Sequence, residues 1–285
     1  MSVNLTVYGQ TDVGRVRASN EDAFAIADLT GGNLIAERRI ARFEVGERGV
    51  LLAVSDGMGG HKAGEVASAL VVESLRRAMV ANPAATTTPC DALLEKAVLS
   101  ANREVWEAAH VAGREGMGAT ATALFVHGTA AYIAEVGDSR AYLLRNGELV
   151  QVTRDQSYVQ LLVDSGVMTP EQAARAPLRN VILQAMGQKP DVKVALGKLD
   201  LRQRDCFLLC SDGLSGKVTA EEMRDVILRA PRLDAACATL IDLANAHGGE
   251  DNITLIIGGV SGDLPPLQQG ESVPQTLQVL QEYTA

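Results

Sequence analysis

Residues 119–145 read ATATALFVHGTAAYIAEVGDSRAYLLR, and they indicate the kind of sheet that this chain builds. The stretch consists of three short apolar runs, Ala119–His127, Ala130–Val136 and Arg140–Arg145. Small turn residues separate the runs, and Asn146-Gly147 follows the last of them as a strong hairpin signal. The pattern predicts successive short strands that are joined by tight turns.

Further strands and helices are predicted on both sides of this block. The other apolar runs with strand character are Asn4–Gln10, Ala23–Asp28, Val50–Ser55, Val192–Gly197, Asp205–Cys210 and Ile253–Ile257. Helical periodicity marks two segments before the block, within residues 67–78 and 94–108. Two more helices are predicted after it, beginning at Thr219 and Arg232.

The order of these elements favours two sheets over one. Strands, helices and strands come first, then a separate segment, and then strands, helices and a final strand. Regular alternation of strand and helix is absent, so a doubly wound parallel sheet fits poorly. We predict an α+β fold in which two mainly antiparallel sheets pack together and carry helices on their outer faces.

The predicted domain organisation follows from length and local composition. At 285 residues the chain is long enough for one large domain, which we assign to residues 1–260. Residues 153–187 interrupt the strand pattern with a helical run and a capping box at Thr169, so we predict a flap there. Residues 261–285 are predicted to form a tail with a short helix at Gln275–Tyr283. The polar residues 29–48 are predicted to form a hairpin or a surface excursion.

Charge and composition disfavour several classes of function. The net charge of −9 argues against nucleic acid and anionic membranes as general partners. No apolar run approaches the ~18 residues that a membrane span needs, and no signal peptide is evident at the N-terminus. No Cys-x-x-Cys pair occurs among the four cysteines, so we expect free thiols and a cytoplasmic location.

Acidic residues stand at the ends of four apolar strands. Asp56, Asp138 and Asp212 each follow one of them, and Asp251 comes just before the last. Such acids can converge at one end of the sheets, where carboxylates resist ionisation unless a cation compensates. Oxygen ligands favour Mg²⁺ or Mn²⁺ over zinc, and Gly57 allows a tight turn and close approach of its carbonyl to a metal. The alternative, that each acid is a solvated turn residue, stays open at this point.

Other reaction centres find less support in the sequence. The glycine-rich residues 57–63 lack the spacing and the hydroxyl group of a P-loop. The signatures of kinases and the Gly-x-Ser-x-Gly motif of serine hydrolases are missing. The histidines at positions 61, 110, 127 and 247 show no metal-ligand spacing.

Six motifs resemble, in their order, those of the metal-dependent protein serine/threonine phosphatases of type 2C, in the bacterial form. The motifs are Thr11–Asp22, Asp56–His61, Gly116–Thr120, Gly137–Arg140, Ser211–Leu214 and Glu250–Asn252. The similarity runs from about Leu5 to Val260. Together the motifs are very specific, although any one of them alone would be weak.

The resemblance implies a four-layer α/β/β/α sandwich with a centre of two Mn²⁺ or Mg²⁺ ions between the sheets, and a third ion beside them. For the core ions, the resemblance implies that Asp56 bridges both, that the Gly57 carbonyl binds the first, and that Asp212 and Asp251 bind the second. Glu21 or Asp22 completes the second site, directly or through water. Arg17 is implied to hold the substrate phosphate, and Asp138 is implied to bind the third ion together with Asp212.

The implied reaction is hydrolysis of phosphoserine and phosphothreonine on proteins by a hydroxide that bridges the two core ions. The implied partners are phosphorylated proteins and a Ser/Thr kinase that the enzyme opposes, and we expect a monomer. Two alternatives stay open, a non-catalytic module that binds phosphoproteins and a hydrolase of small phosphoesters. The intact Asp56, Asp212 and Asp251 argue against the non-catalytic module.

The sequence departs from the family pattern at several positions. Gly216 stands where many relatives have an aspartate that helps to bind the third ion, so we expect this ion to bind weakly. Gln156 stands where many bacterial relatives have a histidine at the start of the flap. A histidine also often precedes the Arg-Asn pair of the flap, but in this chain residues 176–178, which precede Arg179-Asn180, contain none. Met58 stands where eukaryotic members have a histidine that is thought to be the general acid. The expected proton donor is a metal-bound water, with His61 as a weak candidate.

Overall fold

A computed structural model of the chain describes residues 2–35, 39–59, 63–81, 88–268 and 270–284. Among these residues, two sheets form. The first sheet contains, in order across it, Glu148–Gln151 (β10), Arg140–Arg145 (β9), Cys206–Cys210 (β12), Ile253–Gly262 (β13), Val3–Asp12 (β1) and Ala41–Glu44 (β4). The second contains Leu277–Gln281 (β14), Ala195–Asp200 (β11), Ala130–Val136 (β8), Ala121–His127 (β7), Val50–Met58 (β5), Asp22–Asp28 (β2) and Asn33–Ile35 (β3), with Gly118–Ala119 (β6) paired to β5. The paired strands of both sheets run antiparallel.

Helices flank both sheets and also occupy the flap. The described helices are Ala63–Ala81 (α1), Cys90–Ala109 (α2), Tyr158–Asp164 (α3), Pro170–Ala174 (α4), Asp212–Ser215 (α5), Ala220–Arg229 (α6), Leu233–Ala246 (α7) and Val273–Thr276 (α8). The helices predicted around residues 67–78 and 94–108 correspond to α1 and α2, and those predicted after the strand block correspond to α6 and α7. None of the described helices has the length and apolar character that crossing a membrane requires.

Three clusters of buried apolar side chains separate the layers. One lies between α1, α2 and the second sheet, one lies between the two sheets, and one lies between the first sheet and α6 with α7. The strand β5 contributes to two of them, because Leu51 and Ala53 face the helices whereas Leu52 and Val54 face the other sheet. Burial on both faces explains why β5 is a continuous apolar run. The predicted α/β/β/α sandwich is confirmed.

The predicted flap lies between β10 and β11 and carries α3 and α4. Ser157 and Ile182 form an isolated β-bridge that closes its base, and Met186 forms another with β6. The capping box at Thr169 is present, since the Thr169 N–H donates to Gln172 Oε1 at 2.9 Å and the Gln172 N–H donates back to the Thr169 hydroxyl. The bridge between Met186 and Ala119 therefore ties the flap to the body of the fold, and the capping box fixes the start of α4.

Two local predictions are wrong. The helix predicted at Gln275–Tyr283 is replaced by α8, which ends at Thr276, and by β14, which pairs with β11. Leu277 packs against the core between the sheets, and β14 satisfies the free edge of β11. Of the two forms predicted for residues 29–48, the hairpin is wrong, because β3 pairs with β2 in one sheet whereas β4 pairs with β1 in the other.

The cysteines serve as small apolar residues of the fold. Cys206, Cys210 and Cys237 are buried in the cluster between the first sheet and its helices, and Cys90 is half-buried at the start of α2. All four thiols are free, as the sequence predicts. Burial raises the pKa of Cys206 to about 12, so this thiol stays protonated at neutral pH.

Candidate metal centre

The acids predicted from the strand ends meet at one end of the two sheets. Asp22 and Asp56 are directly opposed on β2 and β5 of the second sheet. Asp212 follows β12 and Asp251 precedes β13, and these strands are neighbours in the first sheet. Asp138 lies in the turn after β8. Burial raises the pKa of Asp56 well above its ordinary value, and the negative charges of the other four acids raise it further.

A chain of buried hydroxyl groups fixes the backbone at Asp56. The Thr120 N–H donates to the Asp56 carbonyl oxygen at 2.8 Å, and the Asp56 N–H donates to Thr120 Oγ1 at 2.9 Å. Thr120 Oγ1 also forms a hydrogen bond of 2.7 Å with Ser139 Oγ, so the hydrogen bonds connect Asp56 to the residue that follows Asp138. The motifs that contain Thr120 and Ser139 were recognised in the sequence, but this positioning role was not.

Close contacts between main-chain segments require glycine at positions 57 and 213. A β-carbon at Gly57 would lie 2.1 Å from the Gly64 carbonyl oxygen, and one at Gly213 would lie 2.0 Å from the Asn252 carbonyl oxygen. The tight turn predicted at Gly57 is wrong, because the residue lies within β5. The close approach of α1 to β5 is what excludes a side chain there.

The carboxylate of Asp22 has one oxygen with a partner and one without. Ser211 Oγ donates to Asp22 Oδ2 at 2.7 Å. Asp22 Oδ1 is buried and has no hydrogen-bond partner among the residues that the structure describes. Burial raises the pKa of Asp22 to about 7, and the charges of Asp212 and Asp251 add to the shift, whereas hydrogen bonds from Ser211 and Thr254 oppose it.

Asp212 repeats this pattern on the facing sheet. In the described part of the chain its Oδ1 is also buried without a hydrogen-bond partner. Burial and the charge of Asp251 raise the pKa of Asp212. Ionised carboxylates that lie together repel one another, so a proton on one of them relieves the repulsion. A bound cation would remove the need for that proton.

Arg17 lies on the loop between β1 and β2 and contacts one of these acids. Its Nη2 donates to Asp251 Oδ2 at 2.8 Å, and 49% of its side chain is exposed. Burial lowers the pKa of Arg17, but the charges of Asp251, Glu21 and Asp56 raise it overall. Arg17 is therefore a charged, half-exposed group at the rim of the acidic cluster.

Asn252 holds the first motif against the last one, a role that sequence reasoning missed. Its amide nitrogen donates to the carbonyl oxygens of Val13 and Ser19, each at 2.9 Å. Its Oδ1 accepts a hydrogen bond from the Glu21 N–H at 2.8 Å. The Glu21 carbonyl oxygen in turn accepts one from the Gly57 N–H at 3.1 Å. The presence of Asn252 in the Glu250–Asn252 motif was the sequence signal that could have revealed this role.

Asp138 is buried beside the other acids. Burial raises its pKa to about 8, and the charges of Asp212 and Asp155 add to the shift. Arg140 lies close to Asp138 and opposes this shift, but it is also paired with Asp155 through two hydrogen bonds, Nε to Oδ1 at 2.9 Å and Nη2 to Oδ2 at 2.6 Å. The positive charge of Arg140 is thus shared, and Asp138 keeps its raised pKa.

Gln156, which stands where many relatives have a histidine, has a clear structural role. Its Oε1 accepts a hydrogen bond from the Gly137 N–H at 2.8 Å, and its Nε2 donates to the Glu135 carbonyl oxygen at 3.1 Å. Gln156 is buried at the base of the flap. Gln156 therefore positions the turn that carries Asp138, although many relatives have a histidine at this position.

The donor set fits a hard divalent cation. It consists of oxygen atoms, and two of them, on Asp22 and Asp212, are buried without partners in the described part of the chain. No three His, Cys, Asp or Glu side chains among the described residues are already arranged as a complete ligand set. Cation binding therefore requires the carboxyl groups to give up contacts with one another and with Arg17 or Ser211. His61, the weak candidate for proton donor, lies outside the described residues.

Comparison with known families agrees with the fold and with the acidic centre. The family description "Protein phosphatase 2C" matches residues 39–247, most of the chain. The chain belongs to the protein phosphatase 2C family, as its motifs predict.

Named relatives are bacterial serine/threonine phosphatases. Serine/threonine protein phosphatase PstP of Mycobacterium tuberculosis is 39% identical over 259 residues, which cover 90% of this chain and 45% of PstP. The chain thus spans about half the length of that relative. Serine/threonine phosphatase stp of Listeria monocytogenes is 36% identical over 250 residues, which cover 87% of this chain and 93% of the relative.

Solved structures confirm the architecture. The crystal structure of the Mycobacterium tuberculosis phosphatase PstP superposes with a TM-score of 0.77 at 36% identity, over 91% of this chain and 100% of that one. The catalytic domain of PstP in complex with two manganese ions gives a TM-score of 0.75 with the same identity and coverage. Serine/threonine phosphatase Stp1 from Staphylococcus aureus gives 0.80 at 33% identity, over 90% of this chain and 95% of that one.

Proposed function

We propose that the protein hydrolyses phosphoserine and phosphothreonine on proteins with the help of two Mn²⁺ or Mg²⁺ ions. The proposal rests chiefly on the convergence of acids from both sheets, with unpartnered buried oxygens on Asp22 and Asp212 in the described structure. Membership of the protein phosphatase 2C family supports it. A module that only binds phosphoproteins is disfavoured, because clustered carboxylates cost stability unless a cation compensates them.

We propose for each ligand the role that the family motifs imply. Asp56 would bridge the two core ions, the Gly57 carbonyl would bind the first, Asp212 and Asp251 would bind the second, and Glu21 or Asp22 would complete the second site, directly or through water. Asp22 is favoured by its buried, unpartnered Oδ1. The carboxylate of Glu21 lies close to the start of α1, since a β-carbon at Gly64 would be 2.7 Å from Glu21 Oε2. When bound, such ions supply a nucleophile from water at neutral pH and neutralise charge on the phosphoryl group.

Arg17 is proposed to hold the substrate phosphate at the rim of the centre. Its guanidinium has five N–H donors, and the pair with Asp251 leaves donors for phosphate oxygens. Its half-exposed position suits a group that meets a substrate arriving from solvent. Paired N–H donors match the oxygens of a phosphate better than an ammonium group does.

Replacing Arg17 with alanine is expected to weaken phosphate binding by about 1.5–3 kcal/mol, because a charge-assisted contact is lost. The measurements are the KM for a phosphothreonine peptide and the inhibition constant of inorganic phosphate. Arg103→Ala, which changes an exposed arginine on α2, is the control. If both constants are unchanged in Arg17→Ala, Arg17 does not bind the phosphate.

Substrate class separates the proposal from its main alternative, a hydrolase of small phosphoesters. We expect kcat/KM on a phosphothreonine peptide to exceed that on a nucleoside monophosphate under the same Mn²⁺ concentration. Equal or reversed rates on the two substrates would favour the alternative. Neither result depends on which of the two metals is used in the cell.

A third ion is proposed to bind weakly beside Asp138. Asp138 and Asp212 supply two carboxylates there, and Asp212 is already shared with the core. Asp138→Ala should lower kcat while the two core ions remain bound, as measured by calorimetric titration with Mn²⁺. The exposed Asp242 provides the control substitution Asp242→Ala. Loss of all metal binding in Asp138→Ala would show that Asp138 belongs to the core instead.

The contribution of the missing acid at Gly216 can be measured in the same titration. A β-carbon at Gly216 would lie 2.8 Å from the Asp212 carbonyl oxygen, so any substitution there presses on Asp212. Gly216→Ala carries the same β-carbon without a carboxylate and is therefore the matched control. We expect Gly216→Asp to bind the third ion about tenfold more tightly than Gly216→Ala does, since a hard dication gains a charged ligand. Equal affinities would exclude this explanation for the weak site.

Other features of the proposed role come from the sequence and the family. We propose that the enzyme opposes a Ser/Thr kinase, acts as a monomer and works in the cytoplasm, where free buried thiols such as Cys206 and Cys237 persist. Phosphorylated proteins are the proposed substrates. Incubation of the kinase's labelled substrates with this enzyme would test the pairing.

A further inference from the structure

A cavity of about 460 Å³ lies at the base of the flap, apart from the acidic centre. Its walls are mostly apolar side chains of the second sheet and the flap, including Ile133, Leu161, Leu196 and Leu277. None of the proposed metal ligands lines it. Leu161 on α3 and Val279 on β14 also line the cavity, and both are exposed. The volume is in the range of pockets that hold small organic molecules.

The carboxyl of Glu135 is buried in the lining of the cavity, as are the side chains of Gln156 and Ser157. Glu135 is only 2% exposed and lies on β8, on the same face of the strand as Ile133. Its Oε2 accepts a hydrogen bond from the Arg154 N–H at 2.9 Å. Its Oε1 is buried and has no hydrogen-bond partner among the described residues. An unsatisfied buried oxygen of this kind costs free energy until a ligand supplies a donor.

The charges around the cavity favour a cationic donor. The charged side chains of its lining are Glu135, Asp155, Asp164, Glu282 and Arg154. Arg154 is paired with Asp164 at 2.5 Å, and Asp155 is paired with Arg140, which lies outside the lining. Glu135 has neither of these cations as a side-chain partner. Burial raises the pKa of Glu135 well above its ordinary value, and the charges of Asp155 and Asp138 add to the shift, whereas the backbone N–H of Arg154 and the charge of Arg140 oppose it only in part.

We propose that this cavity is a binding site for a small organic cation, an ammonium group carried on an apolar body. The ammonium group donates to Glu135 Oε1, and the apolar body packs along Ile133, Leu196 and Leu277. Gln156 lines the cavity, and its Oε1 accepts a hydrogen bond from the N–H of Gly137, just before Asp138. A ligand in the cavity would therefore contact the base of the flap. The proposal does not depend on the phosphatase function, because it concerns binding alone.

Calorimetric titration of the full chain with three matched probes tests this site. The probes are 4-phenylbutylamine, 4-phenylbutan-1-ol and 4-phenylbutyrate, which share an apolar body and differ in the end group. We expect the amine to bind wild-type protein at least about tenfold more tightly than the alcohol, because its hydrogen bond is charge-assisted, and we expect the acid to bind most weakly. Equal affinities for amine and alcohol, or no binding of the amine, would overturn the proposal.

Two variants and one control locate the binding. Glu135→Gln keeps the size of the side chain but cannot become a carboxylate when the ammonium group binds, so the preference for the amine over the alcohol should disappear. Glu44→Gln, an exposed change on β4, should preserve that preference. Ala195 is the register partner of Glu135 on β11, and Ala195→Leu should weaken binding of the amine and the alcohol by filling the cavity. An amine preference that survives in Glu135→Gln, or amine binding unchanged in Ala195→Leu, would place the amine elsewhere and contradict the proposal.

Discussion

Replacing Asp56 with asparagine is expected to lower kcat by at least about 10²-fold at saturating Mn²⁺, because the change removes a charged ligand proposed to be shared by both core ions. The measurement is kcat on a phosphothreonine peptide over a titration with Mn²⁺. Asp242→Asn alters an exposed aspartate on α7 and should retain the wild-type kcat. A near wild-type kcat in Asp56→Asn would show that Asp56 is not a ligand.

The same substitution is expected to stabilise the protein when metal has been removed. Burial and the charges of four neighbouring acids raise the pKa of Asp56, so its ionised form is unfavourable in the folded state. Thermal unfolding in the presence of a chelator should therefore give a higher Tm for Asp56→Asn than for wild type at about pH 8. Opposite effects on kcat and on metal-free stability distinguish a metal ligand from a residue that merely supports the fold.

Wild-type protein without metal is expected to lose stability as the pH rises. The pKa of Asp22 is raised to about 7 and that of Asp138 to about 8, and both lie above their values in the unfolded chain. The folded state therefore binds protons more tightly than the unfolded state. The free energy of unfolding should fall progressively between about pH 4 and about pH 8 as these acids are forced to ionise.

Thermal unfolding at about pH 5.5 and about pH 8, with and without Mn²⁺, checks this dependence. The chelated protein should have the higher Tm at the lower pH, and Mn²⁺ should restore stability at the higher pH by supplying the counter-charge. Asp22→Asn should reduce the loss between the two pH values, whereas Asp242→Asn should leave it unchanged. A Tm of the chelated protein that rises over this interval would contradict the raised pKa values.

The strands and the acids at their ends could be predicted because the information is local. The apolar run of β5 stops at Val54, two residues before Asp56, and the run of β12 stops at Cys210, two residues before Asp212. Strands buried on both faces give strong apolar signals, and Asp-Gly marks where such a signal stops. The six motifs then identified the family, and the resemblance implied a four-layer sandwich with the acids meeting between the two sheets.

Contacts between distant segments could not be predicted in the same way. The residues of β14 form a strand because β11, far earlier in the chain, offers a free edge, whereas their own spacing is compatible with a helix. The hydrogen bonds of Asn252 with Val13 and Ser19 likewise join the two ends of the domain. Glu135 reads as one acid within an apolar strand, and its buried, unpartnered oxygen is visible only once the flap is in place.

The central claim is that acids from both sheets form a metal centre for hydrolysis of phosphoproteins. Its most direct test is the rate of phosphate release from a phosphothreonine peptide by the chelated protein, before and after Mn²⁺ is added. We expect turnover to be abolished by chelation and to return on addition of Mn²⁺, because the nucleophile depends on the bound ions. Full activity of the metal-free protein would contradict the two-ion centre.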